Sequence, residues 1–579
     1  MSRARTLAGR VERRHLLALA ATAIALALTP FLLASYPLSL LTLSLAYGLF
    51  AFGLDLAWGR AGVISIGHAA FFGVGAYGIA IADDRGIPLV LAVPLTLAFA
   101  AAMALAVGHA GLRRATSPST MAVLTLALTL LAEQAARSLL SLTNGTNGMF
   151  VASGGIVTAY YRTAAVVLVV VGAIWWLLLR GRFGRRLLAV RINEQRSEHL
   201  GINPRRVKVS AFVLSAAVAA LAGIVVAPII GLVSPGIAGI VMSTQVLVYL
   251  AVGGRGTILG AFLGAALVTF GQEYLGAAIG GWYLFVIGVV FVLVVRFAPG
   301  GLVGLAAGRV RRPVAEHAAQ GMVLTAPENL PGTPVPTGLG RRRSDGEAPP
   351  AIHVRGLVKS FGAMRIIGGV DLDIRQGEVV CLIGPNGAGK TTLLNLIAGD
   401  LQPTEGEIHL KGRDVSRWAP HDRALLGLGR LFQTPSVYPE LTPAQNLALA
   451  LGEAHQPAEL PPELGRFLEL DDVVTRDLSL ADQRALELAV AIGWGPEIVL
   501  LDEPAAGLSH EDSVRLAQTL RAINQTLGCT LVVVEHDMDI VRQLGDRVVV
   551  LADGNVLLSG DMDEVASHDE VRAAYIGAV

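Results

Sequence analysis

Cysteine is nearly missing from this 579-residue chain: Cys381 and Cys529 are the whole complement. Two thiols far apart exclude a disulfide framework, and zinc spacing is absent, so both read as small buried apolar residues of a reduced, cytosolic domain. An excess of charge of either sign is missing too. Lys plus Arg total 46 and Asp plus Glu 45, a net charge of +1, which argues against a nucleic-acid partner and makes charge placement the informative quantity. Charge is also sparse, 16% against 53% hydrophobic, and the scarcity is concentrated before residue 300. At this length one compact core is not expected, and the two halves read as different kinds of protein.

What the first half has instead is long apolar runs. They cover 16–35, 38–57, 62–82, 89–108, 119–140, 163–179, 209–231, 241–253 with 257–278, and 283–297. About 20 apolar residues in a helix span the roughly 30 Å hydrocarbon core, so these predict about eight to ten transmembrane helices. Arg3, Arg5, Arg10, Arg13 and Arg14 precede the first run; no small-residue cleavage site leads into a soluble domain, so it reads as a retained helix. Arg113, Arg114, the arginines of 180–196, Arg205, Arg206 and the "RVRR" at 309–312 belong on the cytoplasmic side, an orientation whose parity works with ten spans.

Two features of this half stand out. The stretch "GRAGVISIGHAAFFGVGAYG", 59–78, is either a close-packed helix or one that is broken along a path. Asp55, His68, Glu133 and Glu273 lie in or beside apolar runs and are expected to face protein or water rather than lipid. The loop 180–208 carries apolar residues at helical spacing and predicts one short cytoplasmic helix. From 306 to 350 the composition turns to Pro, Gly, Arg and polar residues, which predicts a flexible tether.

After the tether, "GEVVCLI" runs into Gly384, Pro385, Asn386, Gly387, Ala388, Gly389, Lys390 and Thr391. A strand followed by G-x-x-x-x-G-K-[ST] and an apolar helix is a phosphate cradle: glycines let backbone N–H groups converge, Lys390 neutralises terminal phosphates, and Thr391 offers a hydroxyl to Mg²⁺. "IVLLDEPAAGLS" ends a buried strand in two carboxylates. Asp502 there suits Mg²⁺ and Glu503 suits polarising the attacking water. A further buried strand, "TLVVVEHD", ends at His536, which can hold that water in line. Mere surface charge and a strand-capping histidine are the plainer alternatives, disfavoured by the apolar runs that feed these residues.

On these motifs, residues 351–579 resemble the ATPase of ABC transporters. The resemblance implies ATP and Mg²⁺ as cofactors, Phe361 stacked on adenine, 384–392 including Thr392 as the phosphate loop, Gln433 as a residue that contacts the cation, "AAGLS" as the loop after the carboxylates, and His536 as the switch histidine. "VVVEHDMDIV" and "DEVRAAYIGAV" look like a LivG-like ATP-binding protein, and "RFGRRLLAVRINEQRSEHLGI" and "YLAVGGRGTILGAFLGA" are similar to a LivM-like permease. The expected architecture is an all-α polytopic membrane domain at 1–305, a linker at 306–350, and an α/β P-loop NTPase domain of the ABC type at 351–579. The expected function is ATP-driven import of a small polar solute, branched-chain or other amino acids, across the bacterial inner membrane with the ATPase in the cytoplasm. Urea or short amides as cargo, or a membrane-tethered regulatory or gating ATPase, are the alternatives. By the same matching, about 182–201 is the element that meets the groove near Gln433.

One match fails. The family signature, Leu-Ser, two small residues and Gln, reads here Leu478, Ser479, Leu480, Ala481, Asp482, Gln483. In the family this helix start approaches the nucleotide of the partner subunit, so Leu480 and Ala481 add bulk and Asp482 adds like charge there; alternatively Asp482 only caps its own helix. The resemblance implies a second permease subunit, a second ABC ATPase with an intact signature, a periplasmic or extracellular solute-binding protein and membrane lipid as partners. A purified homodimer of the ATPase half should accordingly turn ATP over slowly, and brisk Glu503-dependent turnover by that homodimer would overturn the expectation of an unlike partner.

Overall fold

The computed structural model describes residues 20–112, 118–280, 282–298, 300–306, 349–454 and 460–571. The linker expected at 306–350 falls almost wholly outside them, as do Arg113 and Arg114. The chain divides into two compact units, the first up to Arg191 and again from Pro204, the second made of Ile192–Asn203 together with the C-terminal half.

The first unit is helical. Among the described residues, six helices are long and apolar enough to cross a membrane: Ser35–Arg60, Leu89–Gly111, Ser119–Ser138, Ile156–Leu178, Pro204–Ile230 and Ile258–Ile279. Ala20–Leu32, Ile240–Gly253 and Phe285–Val294 are shorter apolar helices, and Ala69–Asp84 is another. The continuous run read at 62–82 is not one helix. Ser35–Asp55 passes through a widened turn at Leu56–Arg60 into non-helical backbone, and the helix resumes at Ala69. Backbone freed by such a break must find partners inside the protein. Ile66 N donates to Thr125 Oγ1 at 3.1 Å and Ala69 N to Ser243 Oγ at 3.1 Å, so hydroxyls of two neighbouring helices take the place of helical carbonyls.

Of the acidic and histidine residues in or beside apolar runs, Asp55 and His68 are enclosed, while Glu273 is exposed; all four have a side-chain or backbone partner. Asp55 is fully buried, accepts from Gly256 N at 2.6 Å and lies 3.6 Å from Arg60. His68, also fully buried, sits between Ser65 Oγ (3.5 Å) and Ser215 Oγ (3.3 Å) and stacks on Phe50. Glu133 pairs with Arg137 at 2.6 Å, and the Tyr36 hydroxyl donates to Glu273. The loop 180–208 is two helices rather than one, Arg182–Ile192 and Glu194–Glu198, and only Ile192–Asn203 belongs to the second unit, a narrower stretch than the 182–201 expected.

The second unit has two sheets. A six-stranded sheet runs in the order Asn555–Gly560, Arg547–Ala552, Val379–Ile383, Thr530–Val534, Ile498–Asp502, Leu428–Leu431; all neighbours are parallel except the first pair. The three central strands are buried along their whole length, which is why they read as continuous β-branched and Leu runs without alternation. Ile352–Phe361, Met364–Ile374, Glu405–Leu410 and Arg413–Asp414 form an antiparallel sheet. Both cysteines are free and buried in this unit, and burial pushes each thiol up to about 12.

Two helices of the first unit meet through reciprocal glycines. A methyl at Gly75 would collide with the Ala220 carbonyl, and one at Gly223 with the Phe72 carbonyl, the close approach that small residues permit where lipid offers no hydrophobic drive. Gly75→Leu should therefore force Ala69–Asp84 away from Pro204–Ile230 at a cost of ~1–3 kcal/mol or more, seen as a lower melting temperature of the full chain in detergent. Gly172→Leu, at a position with open space around it, should leave the melting temperature unchanged.

Candidate nucleotide site

Register builds the site. Val534 pairs with both Leu382 and Asp502, so three adjacent parallel strands end at one level and their following residues share one edge. Ligands of α/β proteins lie at such carboxyl edges. From the first strand the chain enters the phosphate loop, where Gly384 has φ +149° and Gly389 φ +98°. At both, an added side chain would also strike neighbouring atoms, the Leu551 carbonyl at Gly384 and Ile367 at Gly389, so glycine is required for conformation and for space. Helix Lys390–Ala398 follows at once, its N-terminus facing the loop. Lys390 Nζ donates to the Gly384 and Pro385 carbonyls at 2.8 and 3.0 Å. Burial lowers the Lys390 pKa, opposed by the negative charges of Glu503 and Asp502. Asn386, Gly387, Ala388 and Thr392 lie in the same loop and first turn, with Ala388 buried and Asn386 exposed.

From the second strand come the carboxylates. Asp502 is its last residue, and Thr391 Oγ1 donates to Asp502 Oδ1 at 3.3 Å. Burial raises the Asp502 pKa, with Arg430 the main opposing charge. Glu503 sits in the left-handed region at φ +46°, a costly conformation for a residue with a side chain; its N–H donates to Val534 O at 2.9 Å. The strained turn lifts its carboxylate between two side chains. Gln433 Nε2 donates to one oxygen at 2.8 Å, and His536 Nε2 lies 2.8 Å from the other. Burial opposes ionisation of Glu503, but the bonds from Gln433 and His536 and the charges of His536 and Lys390 outweigh it, and its pKa falls below the ordinary glutamate value. The geometry therefore gathers these residues at one edge in three bonded groups: Lys390 on its own loop, Thr391 on Asp502, and Gln433 and His536 on Glu503.

Thr391 Oγ1 and Asp502 are hard oxygen donors a hydrogen bond apart, the donor chemistry Mg²⁺ requires. The Gln433 amide nitrogen is committed to Glu503, which leaves its amide oxygen as the atom for a cation. Phe361 stands on the antiparallel sheet, 51% exposed, with Lys359 Nζ 5.0 Å from its ring centre. An exposed large aromatic is a stacking platform.

The altered signature starts helix Leu480–Gly493, with Leu478 just before its Ser479 cap. Ser479 Oγ accepts from Asp482 N at 3.1 Å and donates to Asp482 Oδ2 at 2.8 Å, while Arg466 donates to Asp482 Oδ1 at 2.6 Å. Ser479, not Asp482, thus caps this helix, and the Asp482 charge is paired by Arg466. Gln483 Nε2 donates back to the Leu478 carbonyl at 3.0 Å, Leu480 is 44% exposed, and Ala481 is partly buried. One turn on, Arg484 donates to the carbonyls of Phe432 and Gln433.

Several residues escaped the sequence reading. Glu535, buried at 4% exposure, accepts from Ala505 N at 2.9 Å and His536 N at 3.1 Å, tying the loop after Glu503 to the histidine. Glu487 accepts from Phe432 N and pairs with Arg484. Residues 192–203 are seated on this unit through Asn193 on Ser436 and Val437, Ser197 on the Tyr438 hydroxyl, and Asn203 on His421. Glu535 stood inside a quoted motif, but nothing in its spacing set it apart from an ordinary strand-end acid.

The model of the permease component of branched-chain amino acid transport systems matches residues 36–295, and that of the ABC transporter ATPase matches 367–506. The high-affinity branched-chain amino acid transport ATP-binding protein LivG of Salmonella typhimurium is 33% identical over 250 residues, covering 39% of this chain and 98% of that protein. BraF of Pseudomonas aeruginosa, of the same description, matches to the same extent. A solved ATP-binding cassette of an ABC transporter in its ADP conformation is 27% identical, covering 39% of this chain and 99% of that one, with TM-score 0.35. Permease and cassette in one polypeptide make this a multi-pass inner-membrane protein with a cytoplasmic, ATP-binding ATPase: the chain belongs to the ABC transporter family, as a permease of the branched-chain amino acid type fused to its ATPase.

Proposed function

We propose that the chain imports a small polar solute, a branched-chain or other amino acid, by hydrolysing ATP at the site built on Lys390 and Glu503. The observation that carries this reading is the Glu503 carboxylate held ionised between Gln433 and His536 beside the phosphate loop. An ionised carboxylate fixed by two partners suits polarising an attacking water, and His536 suits holding that water in line. Lys390 and the loop N–H groups take the phosphate charge, Phe361 takes the adenine ring, and Mg²⁺ supplies charge neutralisation of the phosphates when bound by Thr391, Asp502 and Gln433. The name of the LivG relative supports the cargo class, and the permease match supports the transport role.

The partners follow from the signature. The Ser479 hydroxyl proton is engaged by Asp482 and the Asp482 charge by Arg466, which supports a weaker phosphate contact at the nucleotide closed by this chain's own signature. The assembly then has two unequal sites: an active one on Lys390 and Glu503 closed by a second ATPase with an intact signature, and a slow one closed by Leu478–Gln483. A second permease and an external solute-binding protein complete it.

Glu503→Gln, nearly isosteric, should keep ATP binding and lower hydrolysis by about 10²–10⁴-fold, the usual contribution of a positioned acid or base. Uptake of labelled leucine into proteoliposomes holding the full assembly and its binding protein should fall in proportion. Hydrolysis lost with leucine uptake intact would sink the import reading, and uptake of labelled urea in preference to leucine would replace the cargo.

A further inference from the structure

Beneath the phosphate site lies a second buried cluster of charge that the ATPase chemistry above does not use. Arg430, on strand Leu428–Leu431 and 3% exposed, points one guanidinium nitrogen at Asp400 and the other at Asn395. The second nitrogen also stands 4.0 Å from Asp502 Oδ2, on the side of the carboxylate away from the Thr391 hydroxyl. Asn395 belongs to the helix that the phosphate loop opens, and Asp400 to the turn just after it.

Residues 192–203 reach this arginine twice, through its partner Asp400 and at its own backbone carbonyl. His199, buried at 2% exposure, places Nε2 3.2 Å from each oxygen of Asp400. Arg196, at 1%, donates Nη1 to the Arg430 carbonyl at 2.7 Å. A continuous path of ion pairs and hydrogen bonds therefore runs from His199 through Asp400 and Arg430 to Asp502. Filling space would not call for it, because apolar side chains do that without the desolvation cost of burying His199, Arg430 and Asp502. A planar guanidinium bound on two sides has a fixed position, and the carboxylate it faces across 4.0 Å feels that position directly.

We propose that Arg430 is a positioning residue for Asp502, and that residues 192–203, through His199 and Arg196, set where Arg430 stands, so that cation affinity at the phosphate site depends on how that segment is seated. This rests on the reading of Asp502 as a cation ligand. Both ends of the segment continue into helices of the permease unit, so whatever unseats His199 through those helices would weaken the hold on the cation.

The test uses the full chain in nanodiscs with Mn²⁺ as probe, its binding alongside a non-hydrolysable ATP analogue followed by electron paramagnetic resonance. His199→Ala, Asp400→Asn and Arg430→Lys should each weaken Mn²⁺ binding about tenfold, within the range seen when partners behind a metal ligand are removed, and His199→Gln, which keeps a donor, should return it to within about twofold. Binding of a fluorescent ATP analogue in chelator should stay unchanged in all four. If Asp502→Asn weakens Mn²⁺ but the His199 and Asp400 variants do not, the relay is overturned and the ligand reading stands. Wild-type Mn²⁺ binding by Asp502→Asn overturns both. Equal losses with and without the cation would mean general loosening of the fold, and would also overturn the relay.

Discussion

The chemistry of this protein depends on one register. Val534 lies level with Leu382 on one side and Asp502 on the other, and a slip of one residue in either pairing would reverse the facing of every side chain beyond it. With the register kept, a glycine loop, two carboxylates and a histidine, drawn from three separate segments, arrive at one edge. The strands can hold that register because they are buried on both faces, where β-branched and Leu side chains leave no alternative orientation. Lys390 bound to two carbonyls of its own loop and Glu503 in a left-handed turn are consequences of that fixed frame, since strain of this kind persists only where the surroundings over-determine it.

The permease unit solves the opposite problem. There the apolar surface is abundant and polar groups are the expense. The helix break before Ala69 is accommodated by hydroxyls of Thr125 and Ser243, and Asp55 and His68 are enclosed with partners rather than left toward lipid. Glycines that read as punctuation in a soluble protein serve here as contact surface, Gly75 and Gly223 each receiving a carbonyl of the facing helix.

Much of this is legible in the amino-acid sequence. The phosphate loop, Asp502, Glu503 and His536 announce themselves because each stands at the end of a continuous apolar run, and local sequence dictates both the strand and its terminus. The buried cysteines followed from their number and setting. The break in 62–82 was written in the glycines only as an alternative, since the same small residues serve close packing. Arg430, Asp400 and His199 were invisible for a physical reason: pairing across long separations leaves no periodicity, and an arginine or histidine in a polar stretch looks like a solvated charge until the fold buries it. Asp482 showed the converse. The sequence leaves it open between a like charge near phosphate and a role at its own helix start, and its partners are Ser479 and Arg466, the second of which lies in a segment with no motif at all.

The two native thiols bear on how the protein can be studied. Each is enclosed and holds its proton well above physiological pH, and nucleophilic attack on a maleimide or iodoacetamide needs an accessible thiolate. A cysteine introduced on an outer surface would thus carry a spin label or fluorophore selectively on the otherwise unaltered chain, with no prior removal of Cys381 or Cys529.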